Sequence, residues 1–298
     1  MTSQYPQTSV SSSSDSAHDS YPEGLFSASR FDRQLEFTEF VLDLLEQWHQ
    51  STSSDTKYTF TEVPLLWGEA VYAAVDKKWR LCLTWDAGIQ IFLVKMSNFA
   101  HECVHIWIQE CRTLWSHFPL SLAKVSLFYC GSGTTINLQH SPKSQSKKQP
   151  DAFLKLNIPG VYPSIAFEVG WSEPEEELAA AAKLPLRGSG GLTRIVVTVK
   201  STASLQTRTV AGALQVWRLS QWEQPFISYS QAIFPAPSPP QPQYLEFTLA
   251  DIFLSTVPQG QSPTDVLRCD INLLRRYAAK AFQEMNFRPA LATAREVM

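Results

Sequence analysis

Apolar positions first take up a regular period near Gln34. Leu35, Val41, Leu42, Leu45 and Trp48 lie along one face at helical spacing, and Ser51–Asp55 interrupts them with polar residues. From Trp79 the period changes. Arg80–Trp85 and Ile89–Val94 are β-rich runs joined by Asp86-Ala87-Gly88, which predicts a hairpin. Helical spacing returns over Asn98–Phe118, with Ala100, Cys103, Val104, Trp107, Cys111, Leu114 and Trp115 on one side. Val125–Tyr129 reads as a further strand. Ser141–Pro150, with Lys143, Lys147 and Lys148, reads as a polar, basic loop. Glu175–Leu184 predicts a short acidic, Ala-rich helix ended by Pro185 and Gly188-Ser189-Gly190-Gly191. Ile195–Lys200 and Ala213–Leu219 follow as strands, and Pro235–Pro242 is a connector unsuited to a sheet interior. Ser262-Pro263 opens a last helix, striped by Val266, Leu273, Leu274, Tyr277, Ala281 and Phe282. Strands mixed with helices around one sheet predict a single α/β (α+β) domain over residues 31–298. Residues 1–30 hold ten serines and no apolar period, which predicts a disordered tail.

Asp151–Val169 carries the most information. The β-like runs Ala152–Leu156 and Ser164–Val169 flank Asn157-Ile158-Pro159-Gly160. Folding them about Pro159-Gly160 sets Asp151 opposite Glu168, since each stands eight residues from that turn. Opposed residues of an antiparallel pair share a face. Alternation then puts Asp151, Lys155, Ser164 and Glu168 on a polar side. Leu154, Leu156, Ile165, Phe167 and Val169 take the core side, Phe153 is the misfit, and Pro163 is placed to add a bulge.

Composition narrows the class. Of 298 residues 44% are hydrophobic, and nine Trp with seventeen Phe can fill a sizeable core, which excludes a wholly disordered chain. With 25 Lys+Arg against 28 Asp+Glu the formal net charge is −3, so a nucleic-acid role must rest on a local patch. The five Cys show no CxxC spacing, and no apolar run approaches the roughly 18 residues of a membrane span. The chain reads as soluble and intracellular (cytoplasmic or nuclear), with reduced thiols.

Two constellations carry chemistry. His101-Glu102-Cys103-Val104-His105 matches H-E-x-x-H on a predicted helix, where two His at i and i+4 can share zinc while Glu polarises its water. The extended metzincin spacing is missing, because Ile108 and Cys111 stand where Gly and His belong. The competing reading is one polar-studded face of an amphipathic helix. Asp151 and Glu168 form the second constellation. Two carboxylates from adjacent strand ends can hold a hard cation such as Mg²⁺, although strand-end carboxylates are usually solvated. Gly131-Ser132-Gly133-Thr134-Thr135 lacks the lysine of a phosphate-binding loop and reads as a turn.

Several segments together resemble the fungal Uma2-like branch of the PD-(D/E)xK restriction-endonuclease-like superfamily. They are Phe92-Leu93-Val94-Lys95-Met96-Ser97, His101-Glu102, Gly131–Ile136, Lys148-Gln149-Pro150-Asp151-Ala152-Phe153, Tyr162–Gly170 and Gly188–Lys200. The resemblance covers roughly residues 60–220, and Leu245–Phe253 fits it loosely. It implies a mixed central sheet flanked by helices and a metal-dependent nuclease hydrolysing phosphodiester bonds in DNA or RNA. Asp151 and Glu168 match the metal-binding carboxylates for Mg²⁺ or Mn²⁺, and Glu102 matches the acidic residue on the preceding helix. The lysine of the pattern would stand at position 170, where this chain has Gly170. The Uma2-like pattern moves it to the following helix, which points to Lys183; Lys155 and Lys200 are further candidates, and the Lys143/Lys147/Lys148 loop could contact phosphates. Two other functions stay open: a catalytically degenerate member serving as an interaction module, and a zinc peptidase.

Overall fold

The computed structural model describes residues 24–50, 57–79, 81–96, 98–140, 145–171, 173–239 and 241–292. Strand β1 (Leu25–Ser27) leads into helix α1 (Gln34–Gln50), followed by β2 (Lys57–Thr61), α2 (Leu65–Lys78), β3 (Cys82–Asp86) and β4 (Ile91–Lys95). Strand alternation sorts this region into two faces. Leu83, Trp85, Phe92 and Val94 turn inward onto Phe37, Val41 and Leu45 of α1 and Val71 and Val75 of α2. Thr84, Ile91, Leu93 and Lys95 fall on the opposite side or at its end. Gly68 is what lets α2 approach so closely, because a Cβ there would stand 2.2 Å from the Trp85 ring. The β3–β4 hairpin forms as the sequence predicts, with Asp86 opposite Ile91. Asp86 Oδ1 accepts from the Gly88 N–H at 2.8 Å, and Gln90 closes the turn at φ 58°.

The second half continues with α3 (Phe99–Trp115), α4 (Leu122–Val125), β5 (Phe128–Gly131), β6 (Ile136–Leu138), β7 (Ser146–Lys148), β8 (Ala152–Leu156) and β9 (Ile165–Trp171). Then come α5 (Glu175–Gly188), β10 (Ile195–Ser204), β11 (Thr209–Leu219), β12 (Pro225–Phe234), β13 (Tyr244–Thr248) and α6 (Leu249–Phe253). The last elements are β14 (Val266–Asp270), α7 (Ile271–Glu284) and β15 (Arg288–Pro289). The arrangement is mixed α/β. One sheet runs β1-β2-β4-β3-β7-β6, a second runs β12-β11-β10-β9-β8-β5 with β15 beside β11, and β13 pairs with β14. In the second sheet β5, β8 and β9 are antiparallel neighbours, whereas β9 and β10 are parallel and joined through α5.

Each face of the second sheet is covered. Trp107 and Trp115 of α3 pack with Phe167, Phe247, Leu274 and Phe282, and their indole N–H groups donate to the Asp270 and Arg268 carbonyls at 2.8 Å. On the other face Ala182 and Leu186 of α5 sit on Ala166, Val196 and Trp217. The β8–β9 ladder pairs Ala152 with Phe167, Phe153 with Ala166 and Leu154 with Ile165. Continued by one residue it sets Asp151 opposite Glu168, the register expected from the sequence, and Pro163 adds no shift to it. The side-chain sorting also holds: Leu154, Leu156, Ile165, Phe167 and Val169 are in the α3-side core. Phe153, the misfit, is buried over Gly131, where a Cβ would stand 2.5 Å from its ring.

Several sequence expectations are corrected. Residues 24–30 are ordered secondary structure, β1 paired parallel to β2 with Ala28 fully buried; the rest of the Ser-rich tail lies outside the described residues. Strand β5 starts at Phe128, not Val125, because Leu122–Val125 is a short helix capped by Ser121. Helix α5 runs through Pro185 to Gly188. Proline removes one intrahelical hydrogen bond, but Pro185 and Leu186 are buried, and that packing holds the last turn. Val266 is in β14, not in the last helix, which begins at Ile271 behind the Asp270 cap. The polar break at Ser51–Asp55 lies outside the described residues, apart from which β2, α2, β6, β7 and β12 were not legible as elements.

Candidate functional site

The chain crosses from the first sheet to the second through Gln149-Pro150-Asp151, between β7 and β8. Gln149 fixes this crossing against β3. Its backbone N–H donates to the Leu83 carbonyl at 2.9 Å, and its side-chain oxygen accepts from the Leu83 N–H at 3.1 Å. Its amide nitrogen donates to Asp76 and Thr135 at 2.8 and 2.9 Å. The clamp brings Lys148 and Asp151 beside the middle of β9 and the end of β4.

Four charged side chains meet there, all buried. Asp151 Oδ2 accepts from the Val169 N–H at 2.7 Å and from Lys95 Nζ at 3.1 Å. Lys95 Nζ also donates to the Val169 carbonyl at 2.7 Å and stands 3.8 Å from Glu173. Glu168 Oε2 pairs with Lys148 Nζ at 2.9 Å, and Lys148 donates to Thr84 Oγ1 at 3.2 Å. Lysine is almost never fully buried unless paired, and both lysines obey that rule. The other carboxylate oxygens, Asp151 Oδ1 and Glu168 Oε1, are buried without a partner among the described residues. Both residues line a cleft of about 170 Å³ between the outer face of β3 and β4 and helix α5.

The two carboxyls are driven apart. Burial raises Glu168, Lys148 offsets this only in part, and the Asp151 charge raises it further, to about 7. Burial also opposes ionisation of Asp151, but Lys95, His101, the Val169 N–H and Lys148 outweigh it and hold Asp151 at about 2. Burial pulls Lys95 down, and the surrounding carboxylates Asp151, Glu173 and Glu168 more than reverse this, leaving it above its ordinary value. His101 is held neutral, lowered to about 4 by burial and then by the Lys95 ammonium. Its Nδ1 lies 2.7 Å from Asn98 Oδ1 in the N-terminal cap of α3, and its Nε2 is buried without a partner among the described residues.

The sequence candidates divide sharply. Asp151 and Glu168 come together. Glu102 does not join them: it is exposed, on the solvent side of α3, while its neighbour His101 faces Lys95 and Asp151. Lys183 is also elsewhere. The cleft meets α5 through Leu178, Ala181 and Leu184, whereas Lys183 Nζ lies 5.7 Å from the Trp217 ring centroid. Lys200 donates to the Glu173 carbonyl, and Lys155 lines a separate depression with Thr134, Asn137 and Tyr162. The basic loop is corrected in part. Lys147 pairs with Glu69 and Lys148 with Glu168, so neither ammonium is a free phosphate contact; Lys143 lies outside the described residues. In the H-E-x-x-H segment His105 bonds to Gln109 at 2.9 Å, away from the His101 cap. Among the described residues no group of three or more His, Cys, Asp or Glu side chains is arranged to hold a metal ion.

Sequence reasoning gave Lys95 no site role, and it assigned Lys148 to phosphate contact and His101 to zinc rather than to the surroundings of Glu168 and Asp151. A signal existed for the first: Lys95 ends the otherwise apolar strand Ile91–Lys95, where a lysine needs a buried partner. No protein-family model matches the chain, and no curated protein matches it. Among the described residues no helix is long and apolar enough to cross a membrane.

Proposed function

We propose that this protein is a metal-dependent phosphodiester hydrolase acting on DNA or RNA, with Asp151 and Glu168 as its metal-holding pair. One observation carries this reading: two buried carboxylates, Asp151 just before β8 and Glu168 within β9, each keep one oxygen without a partner among the described residues, and both line the same cleft. Leaving such atoms unsatisfied costs about 1–3 kcal/mol each, more when charged, which a structure built only for stability would avoid. Mg²⁺ suits the donor set, because it takes one or two carboxylates and leaves other positions to water and phosphate. When bound it would polarise a phosphoryl oxygen and acidify water. The protein's own groups then have distinct tasks. Asp151, held ionised, anchors the cation. Glu168 supplies the second oxygen once deprotonated, which Lys148 assists. Lys148 Nζ, beside Glu168, balances that carboxylate from within the site where Lys183 does not reach, and Lys95 fixes Asp151.

A second reading, a degenerate member kept for interactions, is favoured by one feature: each carboxylate already has a lysine counter-charge. Hydrolysis of bis(p-nitrophenyl) phosphate decides between them. Wild type should be active with Mn²⁺ or Mg²⁺ and silent in EDTA, and Asp151→Asn and Glu168→Gln should each abolish turnover. Inactive wild type would favour the interaction module.

A further inference from the structure

We infer that the substrate reaches Asp151 as a single unpaired strand, its phosphates on the Lys77 side and one nucleoside in the apolar cleft. This rests on the function proposed above and adds a substrate class to it. Two depressions meet at Cys82, Gln149 and Asp151. They differ in chemistry.

The first is the cleft that holds both carboxylates. Ile91, Leu93, Leu178 and Leu184 give it apolar walls. Its charged lining is mainly acidic: Asp86, Glu173 and Glu177 join Asp151 and Glu168, and its cations, Lys95 and Lys148, are already engaged. Lys95, Lys148 and Lys57 offset Asp151, Glu168 and Glu177, which leaves Asp86 and Glu173 as the excess negative charge of this lining. A polyanionic backbone is repelled from such a surface, whereas a nucleobase buries its flat faces readily against apolar side chains.

The second depression is larger, about 510 Å³, and polar; Asp76, Lys77, Lys78, Ser132 and Gly133 line it. Lys78 pairs with Glu46, but the exposed Lys77 has no partner among the described residues. A Cβ on Gly133 would meet nothing within 4 Å, so the loop leaves this side open. Phosphates can approach Asp151 from here without crossing the acidic rim. A duplex cannot divide itself in this way, because it carries one negative charge per about 1.7 Å and keeps its bases stacked inside. A single strand exposes base and backbone in different directions.

The test measures kcat/KM in Mn²⁺ for a twelve-nucleotide single strand and for its blunt duplex, with bis(p-nitrophenyl) phosphate alongside. The single strand should be cleaved at least tenfold better than the duplex. Lys77→Glu should weaken use of the strand and flatten log affinity against log salt by about 0.7, the share of one phosphate contact on a single strand. Ala181→Trp, which fills the apolar cleft, should lower kcat/KM for the strand at least tenfold; Ala181→Leu serves if the larger side chain prevents folding. Lys280→Glu, which lines neither depression, should change nothing. Equal or better cleavage of the duplex, or indifference to both Lys77→Glu and the Ala181 variants, would overturn the inference while hydrolysis of the small diester leaves the proposed function standing. Loss of all three activities in wild type would overturn both.

Discussion

Replacing Lys148 by Met isolates the charge on Glu168, and its cost follows from the surroundings. The two side chains are almost wholly buried, and their 2.9 Å contact is the ion pair made by Glu168 among the described residues. Removing one partner of a buried pair costs about 3–5 kcal/mol, because the remaining charge is stranded. Glu168 can escape by taking a proton. Its carboxyl already sits at about 7, raised by burial and then by Asp151 against the pull of Lys148, so losing Lys148 moves it higher still. The sign follows from linkage. The folded state holds this proton to higher pH than the unfolded chain, whose glutamate ionises near 4.5, so stability falls as pH rises through that interval. The penalty of Lys148→Met should therefore be small at pH 5 and full at pH 9. At about 2–4 °C per kcal/mol, the loss at pH 9 corresponds to a Tm lower by about 6–20 °C. Thermal melts followed by circular dichroism at both pH values would measure it. Lys148→Met combined with Glu168→Gln should recover most of the loss at pH 9. An equal drop in Tm at pH 5 and 9, with no recovery in the double variant, would refute the reasoning.

Three further outcomes are expected. His101, lowered from 6.5 to about 4 by burial and then by Lys95, contributes stability above pH 6.5 that is lost as pH falls towards 4, up to about 3 kcal/mol. Glu168 titrates over an overlapping range with the opposite sign, so the effect is read as the difference in urea midpoint between wild type and His101→Gln; a pH-independent difference would count against it. Lys183→Ala should leave turnover within twofold of wild type and cost only about 0.5–1 kcal/mol from the lost Trp217 contact, whereas a loss matching Asp151→Asn would return Lys183 to the site. Gly68→Ala should lower stability by about 1–3 kcal/mol in urea melts, since its Cβ would press on the Trp85 ring; an unchanged midpoint would mean that α2 yields freely.

What could be read from the sequence was local. The Asp151–Glu168 register followed from a local reversal at Pro159-Gly160 and strict alternation, both of which are short-range properties, and the ladder continued by one residue beyond the Ala152–Phe167 pair gives the same pairing. The α3 stripe was legible for the same reason, with Cys103, Val104, Trp107 and Trp115 all buried. Long-range pairing was not legible. Lys95 lies 56 residues before Asp151, and Lys148 reaches Thr84 across 64 residues. Their meeting depends on β6 and β7 joining the first sheet, which no periodicity announces. Glu102 illustrates the converse. Its motif suited the role, but the cap at Asn98 fixes the rotation of α3 so that His101 faces inward and Glu102 outward.

Titration of the full chain with Mn²⁺, following heat and stoichiometry in wild type, Asp151→Asn and Glu168→Gln, bears most directly on the metal-holding pair. Wild type should bind one ion, with affinity rising as pH passes through about 7 and Glu168 gives up its proton. Each variant should lose that binding while keeping its fold. No binding to wild type between pH 6 and 8.5, or undiminished binding in both variants, would contradict the assignment of Asp151 and Glu168 as the metal-holding pair.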